Sequence, residues 1–254
     1  MNQPDRAISE FHIMEEDARG RGPLQDLHPL SKLLITLFYL TVLLSFHPYD
    51  LSGILLMAAC PILAFCIGNI QVRPMWRRMR VVLIPVLLLG IVNPFFDKTP
   101  VLIGSVAVNG GIVSMVTFMI KGFLAVSAVY LLMVTTPMED ICQALRKLHV
   151  PALLITVVML IHRYLIVFLG EVRRLRTAYL LRAPGQKGVH FRQWGSLLGQ
   201  LLLRSMDRSE TVYQSMTLRG FTGESFSGRD RRFTRSDLLF IIIGISVPLL
   251  ARFI

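Results

Sequence analysis

The apolar runs of this chain leave it one solvent in which to fold. Stretches at 32–46, 51–70, 81–96, 112–134 and 236–254 are almost wholly hydrophobic, and a sixth, at 152–169, is nearly so. A hydrocarbon core asks for about 20 helical residues; the second and fourth runs reach that length and the first is somewhat short. No long polar block stands apart from these runs, and 53% of all residues are hydrophobic, more than soluble domains carry. The expected class is an all-α polytopic membrane protein.

Charge sets the expected orientation. The formal charge is +11, from 27 Lys and Arg against 16 Asp and Glu, and in membrane proteins such an excess lies in cytoplasmic loops. The segment Gln71–Arg80 holds Arg73, Arg77, Arg78 and Arg80 without an acid, so it is expected inside, with Trp76 at headgroup level. The third run then leads outward, and Asp97–Gly111, with one acid and one lysine, is expected as an outside loop. The fourth returns inward and carries Lys121, which requires a partner or a snorkelling route in hydrocarbon. Counting backward, the polar tail Met1–Ser31 is expected to be cytoplasmic and to hold no cleavable signal. Arginines that border spans touch anionic lipid headgroups; with no nucleic-acid-binding module in view, the membrane and not nucleic acid is the expected partner.

The sixth run poses a parity problem. Thr135-Thr-Pro137 ends the fourth span, and Met138–Leu148 reads as a short amphipathic helix. Its acids Glu139 and Asp140 come early and Arg146 and Lys147 late, as the helix dipole favours. Both flanks of 152–169 are then expected inside, and His162 and Arg163 lie near its middle. Pro151–Leu181 is therefore expected as one helix of about 45 Å that does not cross. A true span with an inverted remainder is the other solution, and it would place Arg173, Arg174, Arg176, Arg182 and Lys187 outside. After a Gly/Pro turn at 183–190, Phe191–Leu218 reads as a second long helix with Trp194, Leu198, Leu201, Ser205, Val212 and Met216 on one face. Ser205 and Ser209 would allow close approach of another helix. A basic loop, Gly220–Arg235, leads to the last span at Ser236-Asp-Leu238. The sum is about five spans plus two long amphipathic cytoplasmic helices, in blocks 1–136, 137–235 and 236–254, with the N-terminus inside.

The stretch Glu171–Phe221 repeats itself. Ala178-Tyr-Leu-Leu181-Arg182-Ala183 and Ser215-Met-Thr-Leu218-Arg219-Gly220 each set a small residue four positions before an arginine, with a helix-ending Gly or Pro just beyond. Residues at i and i+4 share a helix face, so each passage presents one arginine at a helix end. Two similar tips point to a partner present in two copies. By itself the pattern weighs evenly against solvated basic helix ends. Other chemistry is missing from the sequence: no Gly-x-x-x-x-Gly-Lys-Ser/Thr phosphate loop, no His-Glu-x-x-His, and six histidines with no ligand spacing. Cys60, Cys66 and Cys142 fit neither a disulfide framework nor a zinc pattern and are expected to be inert.

His162-Arg-Tyr-Leu165, Glu171-Val-Arg-Arg-Leu175, Leu203-Arg-Ser-Met-Asp-Arg-Ser-Glu-Thr-Val-Tyr213 and Ser215-Met-Thr-Leu-Arg-Gly-Phe221 resemble the transmembrane component of energy-coupling-factor transporters, in the CbiQ branch of the CbiQ/EcfT family. Leu27-His-Pro-Leu-Ser-Lys32 and the passages Thr135–Met138 and Ala144–Pro151 add to the likeness, which extends over nearly the whole chain. The resemblance implies a non-catalytic scaffold in the cell membrane. It would join a CbiM-like substrate-binding membrane subunit to two CbiO-like ATPases of the ATP-binding-cassette type, which hold the ATP and Mg²⁺; no cofactor is expected in this chain. It also implies that Arg182 and Arg219 each dock in a groove of one ATPase. Leu218-Arg219-Gly220 matches the family's second motif. The first departs from Ala-Arg-Gly: it is Leu181-Arg182-Ala183, or else Ala183-Pro184-Gly185 with the arginine replaced. Cobalt or nickel uptake is the leading expectation. A shared coupling subunit for vitamin uptake, a secondary transporter binding its own substrate, and a membrane-embedded enzyme are the competing ones.

Overall fold

The structure, a computed structural model, describes residues 15, 18, 20, 22, 24–47, 51–68, 84–88, 90–91, 100–103, 106–183, 185–186, 188–223 and 233–253. The arginine-rich segment 71–80, on which the expected orientation leans, and most of the third run lie outside these residues. The chain divides into two compact units, one built on Met138–Arg229 and the other on Asp17–Pro137 with Asp230–Ile254.

The second of these units is a helical bundle made of α1 (Pro29–Ser45), α2 (Leu51–Met57), α3 (Ala59–Gly68), α4 (Gly110–Thr135) and α8 (Arg235–Phe253). Helix α1 starts at Pro29, whose missing N–H costs nothing at that position, and the His28 Nδ1 accepts the Leu30 N–H at 3.1 Å. It packs on α8 and α4, and α2 on α8. The core contains Tyr39, Leu43, Ile54, Met57, Leu124 and Ala251. Between helices in lipid the hydrophobic effect supplies little, so close van der Waals approach matters more. Two glycines provide it. A Cβ on Gly244 of α8 would lie 2.8 Å from Ile35 Cγ2 on α1, and one on Gly53 of α2 would lie 2.4 Å from Phe46 Cε1.

Two local features were not foreseen from the sequence. The second run is not one helix; it breaks at Ala58 between α2 and α3. Pro61 is the cause: it has no N–H to give the Met57 carbonyl four residues back, and its ring crowds that carbonyl. The Tyr39 hydroxyl donates to the freed Met57 oxygen at 3.1 Å, which settles a buried acceptor that would otherwise be orphaned. The segment 97–111, expected as an outside loop, contains an antiparallel strand pair. Strands β1 (Pro100–Ile103) and β2 (Val106–Asn109) pair antiparallel, with Pro100 opposite Asn109 and Ile103 opposite Val106. Their valines and isoleucine favour an extended backbone, a signal that a reading by charge alone passes over.

The other unit holds α5 (Met138–Lys147), α6 (Ala152–Arg182), a 3₁₀ turn (Phe191–Gln193) and α7 (Trp194–Leu218). Helix α5 buries Cys142 and Ala144 and packs on α6, which in turn packs on α7. It closes with His149 in the left-handed region at φ 63°. There the His149 N–H donates to Arg146 O at 3.0 Å and the Val150 N–H to Leu145 O at 3.3 Å, the double bond that ends many helices. Pro151 then starts the approach to α6. Among the described residues two helices, Gly110–Thr135 and Ala152–Arg182, are long and apolar enough to cross a membrane; Pro29–Ser45 is a shorter apolar helix, and Gly53–Gly68 is an apolar stretch interrupted at Ala58.

Candidate functional site

The long helices α6 and α7 meet near their middles. Glu171 on α6 accepts from Arg204 on α7 at 2.7 Å and from Arg174, one turn on, at 3.2 Å. Arg208 of α7 sets its guanidinium 5.6 Å from the centroid of the Tyr164 ring. The later α7 residue meets the earlier α6 residue, so the helices run with an antiparallel component. Their C-terminal tips therefore point apart. From the brace, Arg182 lies about 16 Å along α6 and Leu218 about 21 Å along α7, at 1.5 Å per residue.

The half-buried stripe of α7 is Leu197, Leu201, Ser205, Val212 and Met216. Four of these were expected, but Trp194, Leu198 and Ser209 are exposed. Helical phase does not separate them, since Trp194 and Leu198 share the phase of Val212 and Met216; they lie in the first turns of α7, before its contacts with α6 at Arg204 and Arg208. The Ser209 hydroxyl, like that of Ser205, bonds a carbonyl of its own helix, Met206 O at 2.8 Å.

Both arginine tips are exposed, and they are built differently. Helix α7 ends at Leu218 with Arg219 as its cap. Gly220 follows at φ 83°, a conformation with little cost only for glycine. The Gly220 N–H donates to Thr217 O at 2.9 Å and the Phe221 N–H to Met216 O at 3.0 Å. This closed cap holds Arg219 beside Leu218, which is 90% exposed. The Ser215 hydroxyl turns back onto Thr211 O at 2.7 Å. Helix α6 includes Arg182 as its last residue, and Ala183 caps it without a left-handed residue. Among the described residues one backbone bond, Ala183 N–H to Tyr179 O at 3.1 Å, closes that end. The Tyr179 hydroxyl donates to Gln186 Oε1 at 2.8 Å and ties the turn back to the helix. Ala178 is exposed and Leu181 is 78% exposed. Each tip thus offers a guanidinium, a planar fork of donors suited to carboxylates or carbonyls, next to an uncovered leucine.

Several polar anchors in the bundle were not singled out from sequence. Lys32 is buried, and its ammonium donates to Thr135 O at 2.7 Å and to Gln25 O at 3.3 Å. A cation at the last carbonyl of α4 suits the helix dipole. Asp237 accepts the His28 N–H at 2.6 Å with one oxygen and the Thr234 N–H at 2.7 Å with the other, tying the start of α8 to the start of α1. Three helix ends therefore share one end of the bundle: the starts of α1 and α8 and the finish of α4. At the opposite end Lys121 donates to Phe46 O at 2.6 Å and Arg252 to Ser45 O at 3.0 Å. Lys121, expected to need a partner or a route to water, thus takes a partner in the carbonyl that α1 leaves open. The sequence did carry a signal for the first pair, since Lys32 and Asp237 stand just at the start of apolar runs.

Among the described residues no group of three His, Cys, Asp or Glu side chains could hold a metal ion.

Residues 20–228 match the family model described as cobalt transport protein, CbiQ. An uncharacterized protein of Methanocaldococcus jannaschii is 25% identical over 96% of this chain and 86% of its own length. A fused cobalt transport protein, CbiMQ, of Methanocorpusculum labreanum is 30% identical over 38% of this chain and 16% of its own length. The nickel permease LarQ of Lactiplantibacillus plantarum is 31% identical over 47% of this chain and 44% of its own length. A transport family whose model takes in both arginine tips, and helices apolar enough for a membrane, lead to one assignment: this chain belongs to the CbiQ family of cobalt transport proteins.

Proposed function

We propose that this chain is the transmembrane coupling subunit of an importer driven by two ATP-binding-cassette ATPases, and that its cargo is cobalt or nickel. The observation that carries the proposal is the pair α6 and α7, braced at Glu171–Arg204 and ending in exposed Leu-Arg tips that point apart. Two tips of like chemistry suit two ATPase copies. Closure of the ATPases on ATP would move the tips relative to each other, and rigid helices would carry that motion to the spans. ATP and Mg²⁺ belong to the ATPases. A substrate-binding membrane subunit of the CbiM kind completes the assembly, and the fused relative, with CbiM and CbiQ in one name, supports that partner. The names of the cobalt and nickel relatives support the cargo.

The shared end of the bundle supports an orientation. The chain leaves α4 at Thr135 and enters α8 near Asp237, and both lie at the end where α1 begins. A segment that leaves and returns on one side crosses the membrane an even number of times. With Arg173, Arg174, Arg176 and Arg182 on α6, the crossing number that avoids moving these charges outward is zero. The reading is five spans, with α5, α7 and the basic second half of α6 on the cytoplasmic side of the cell membrane and the apolar first half of α6 at the membrane interface without crossing. Uptake of radioactive cobalt and nickel by cells expressing the chain with its ATPases and substrate subunit tests the role. Accumulation that collapses with Arg219→Glu supports it; accumulation unchanged by that substitution contradicts it.

A further inference from the structure

A slot of about 200 Å³ runs down the inside of the bundle between α1, α3, α4 and α8. Helices α1, α4 and α8 each line it at i, i+3, i+4 and i+7, starting from Lys32, Ala128 and Phe240, and α3 closes it between Cys60 and Ile67. That spacing is one face of a helix over two turns, so the slot follows the helix axes for about 10 Å. Half of a hydrocarbon core is about 15 Å deep. The slot therefore spans much of one leaflet, beginning at the end of the bundle where Lys32 meets Thr135.

The oxygens and the ammonium on its walls are turned onto backbone carbonyls. Tyr39 donates to Met57 O, Thr36 to Lys32 O at 2.8 Å, Lys32 to Thr135 O, and Thr135 to Leu131 O at 2.8 Å. What remains facing the space is hydrocarbon and the Cys60 thiol, with no set of donors for a hydrated metal ion. An apolar cavity of about 150 Å³ already stays dry and takes up benzene. About 200 Å³ over about 10 Å leaves a slot less than about 10 Å wide, too narrow for a helix of about 10–12 Å diameter. Leu63, Ile67 and Ile243 on its α3 and α8 walls are more than half exposed, so the slot communicates with the bundle's surroundings there.

We propose that the slot holds one acyl chain of a membrane lipid, entered sideways between α3 and α8. Its axis, width and lining match an extended alkyl chain lying along the membrane normal. The proposal concerns the bundle alone and stands apart from the coupling role of the arginine tips. The test reconstitutes the purified full chain in phosphatidylethanolamine vesicles doped with a phosphatidylglycerol that carries a mid-chain diazirine. After illumination, adducts are mapped by peptide mass spectrometry. Adducts on slot walls such as Ala64 and Ala128 are expected, and Ala64→Phe, which fills the space, lowers them at least fivefold while adducts on outward Leu44 and Ile62 persist. If Ala64→Phe also loses the outward adducts, it has misfolded, and the smaller filling Thr36→Leu from the opposite wall gives the same comparison. Adducts on outward residues alone, or wall adducts that filling does not lower, overturn the proposal. So does loss of the wall adducts whenever a small membrane subunit is reconstituted with the chain, since the slot then belongs to that subunit.

Discussion

Glu171 and Arg204 stand 33 positions apart in sequence and 2.7 Å apart in space, and they join the two long helices where these cross. Arg204 is 53% exposed and Glu171 23%, so water screens the pair and its worth to stability is about 0–1 kcal/mol. Under the proposed coupling role its consequence is mechanical: it would be the point about which the two exposed tips are levered.

Breaking that brace should separate stability from transport. Glu171→Ala is expected to shift the unfolding midpoint by no more than a degree or two while lowering metal uptake several-fold. Arg204→Ala should do the same, and the double variant should be little worse than either, since both remove one interaction. A double-mutant cycle on initial uptake rates is the measurement. Fully additive losses would mean that the two side chains act separately.

The cap at the second tip depends on Gly220. Any side chain there must adopt φ near 83°, at a cost of about 1–2 kcal/mol. Gly220→Val is therefore expected to fray the last turn of α7. Hydrogen exchange at the Gly220 and Phe221 amides, now bonded to Thr217 and Met216, should speed up roughly 5–30-fold. Exchange as slow as in the wild type would show that the cap does not hold the tip.

Lys32 has a structural assignment of its own. Lys32→Met keeps the stem's length and removes the donor to Thr135 O and Gln25 O. A buried carbonyl left without its donor costs about 1–3 kcal/mol, so thermal unfolding in detergent should occur several degrees lower. An unchanged midpoint would refute the anchoring role.

Cys142 gives a pH dependence. It is fully buried on α5, and burial, followed by the neighbouring Glu139 carboxylate, raises its thiol above the ordinary value of 9.0. The folded state thus holds this proton more tightly than the unfolded one. The stability linked to it is fully present below pH 9.0 and is lost as pH rises through the folded value. Iodoacetamide at pH 8 should leave Cys142 untouched until the protein is denatured. Rapid labelling of Cys142 in the native state would contradict the burial.

Helix boundaries were legible where composition changes sharply. The expected Met138–Leu148, Pro151–Leu181 and Phe191–Leu218 fall within a few residues of α5, α6 and α7, because Pro137, Pro151 and the Gly/Pro turn at 183–190 leave few alternatives. The break at Ala58 was also written in the sequence, as Pro61 inside an apolar run. Its companion, the Tyr39 hydroxyl, was not, since which of many side chains reaches a freed carbonyl depends on packing across helices. The same holds for Lys32 with Thr135, Asp237 with His28, and Glu171 with Arg204. Each residue is visible as a charge at a helix start or in a basic helix; its partner lies 33 to 209 positions away. The repeat around Arg182 and Arg219 was readable as a pattern, but its difference was not: one tip closes on a left-handed glycine and the other does not.

The central claim is that the α7 tip engages an ATPase through Arg219. The most direct measurement is co-purification of the detergent-solubilised wild type and Arg219→Glu from membranes that express the whole transport system, followed by mass spectrometry. The account predicts that the wild type retains an ATP-binding-cassette ATPase and a small membrane protein, and that Arg219→Glu keeps the membrane protein while losing most of the ATPase. A variant that retains the ATPase as fully as the wild type, or a wild type that purifies alone and still transports, would contradict it.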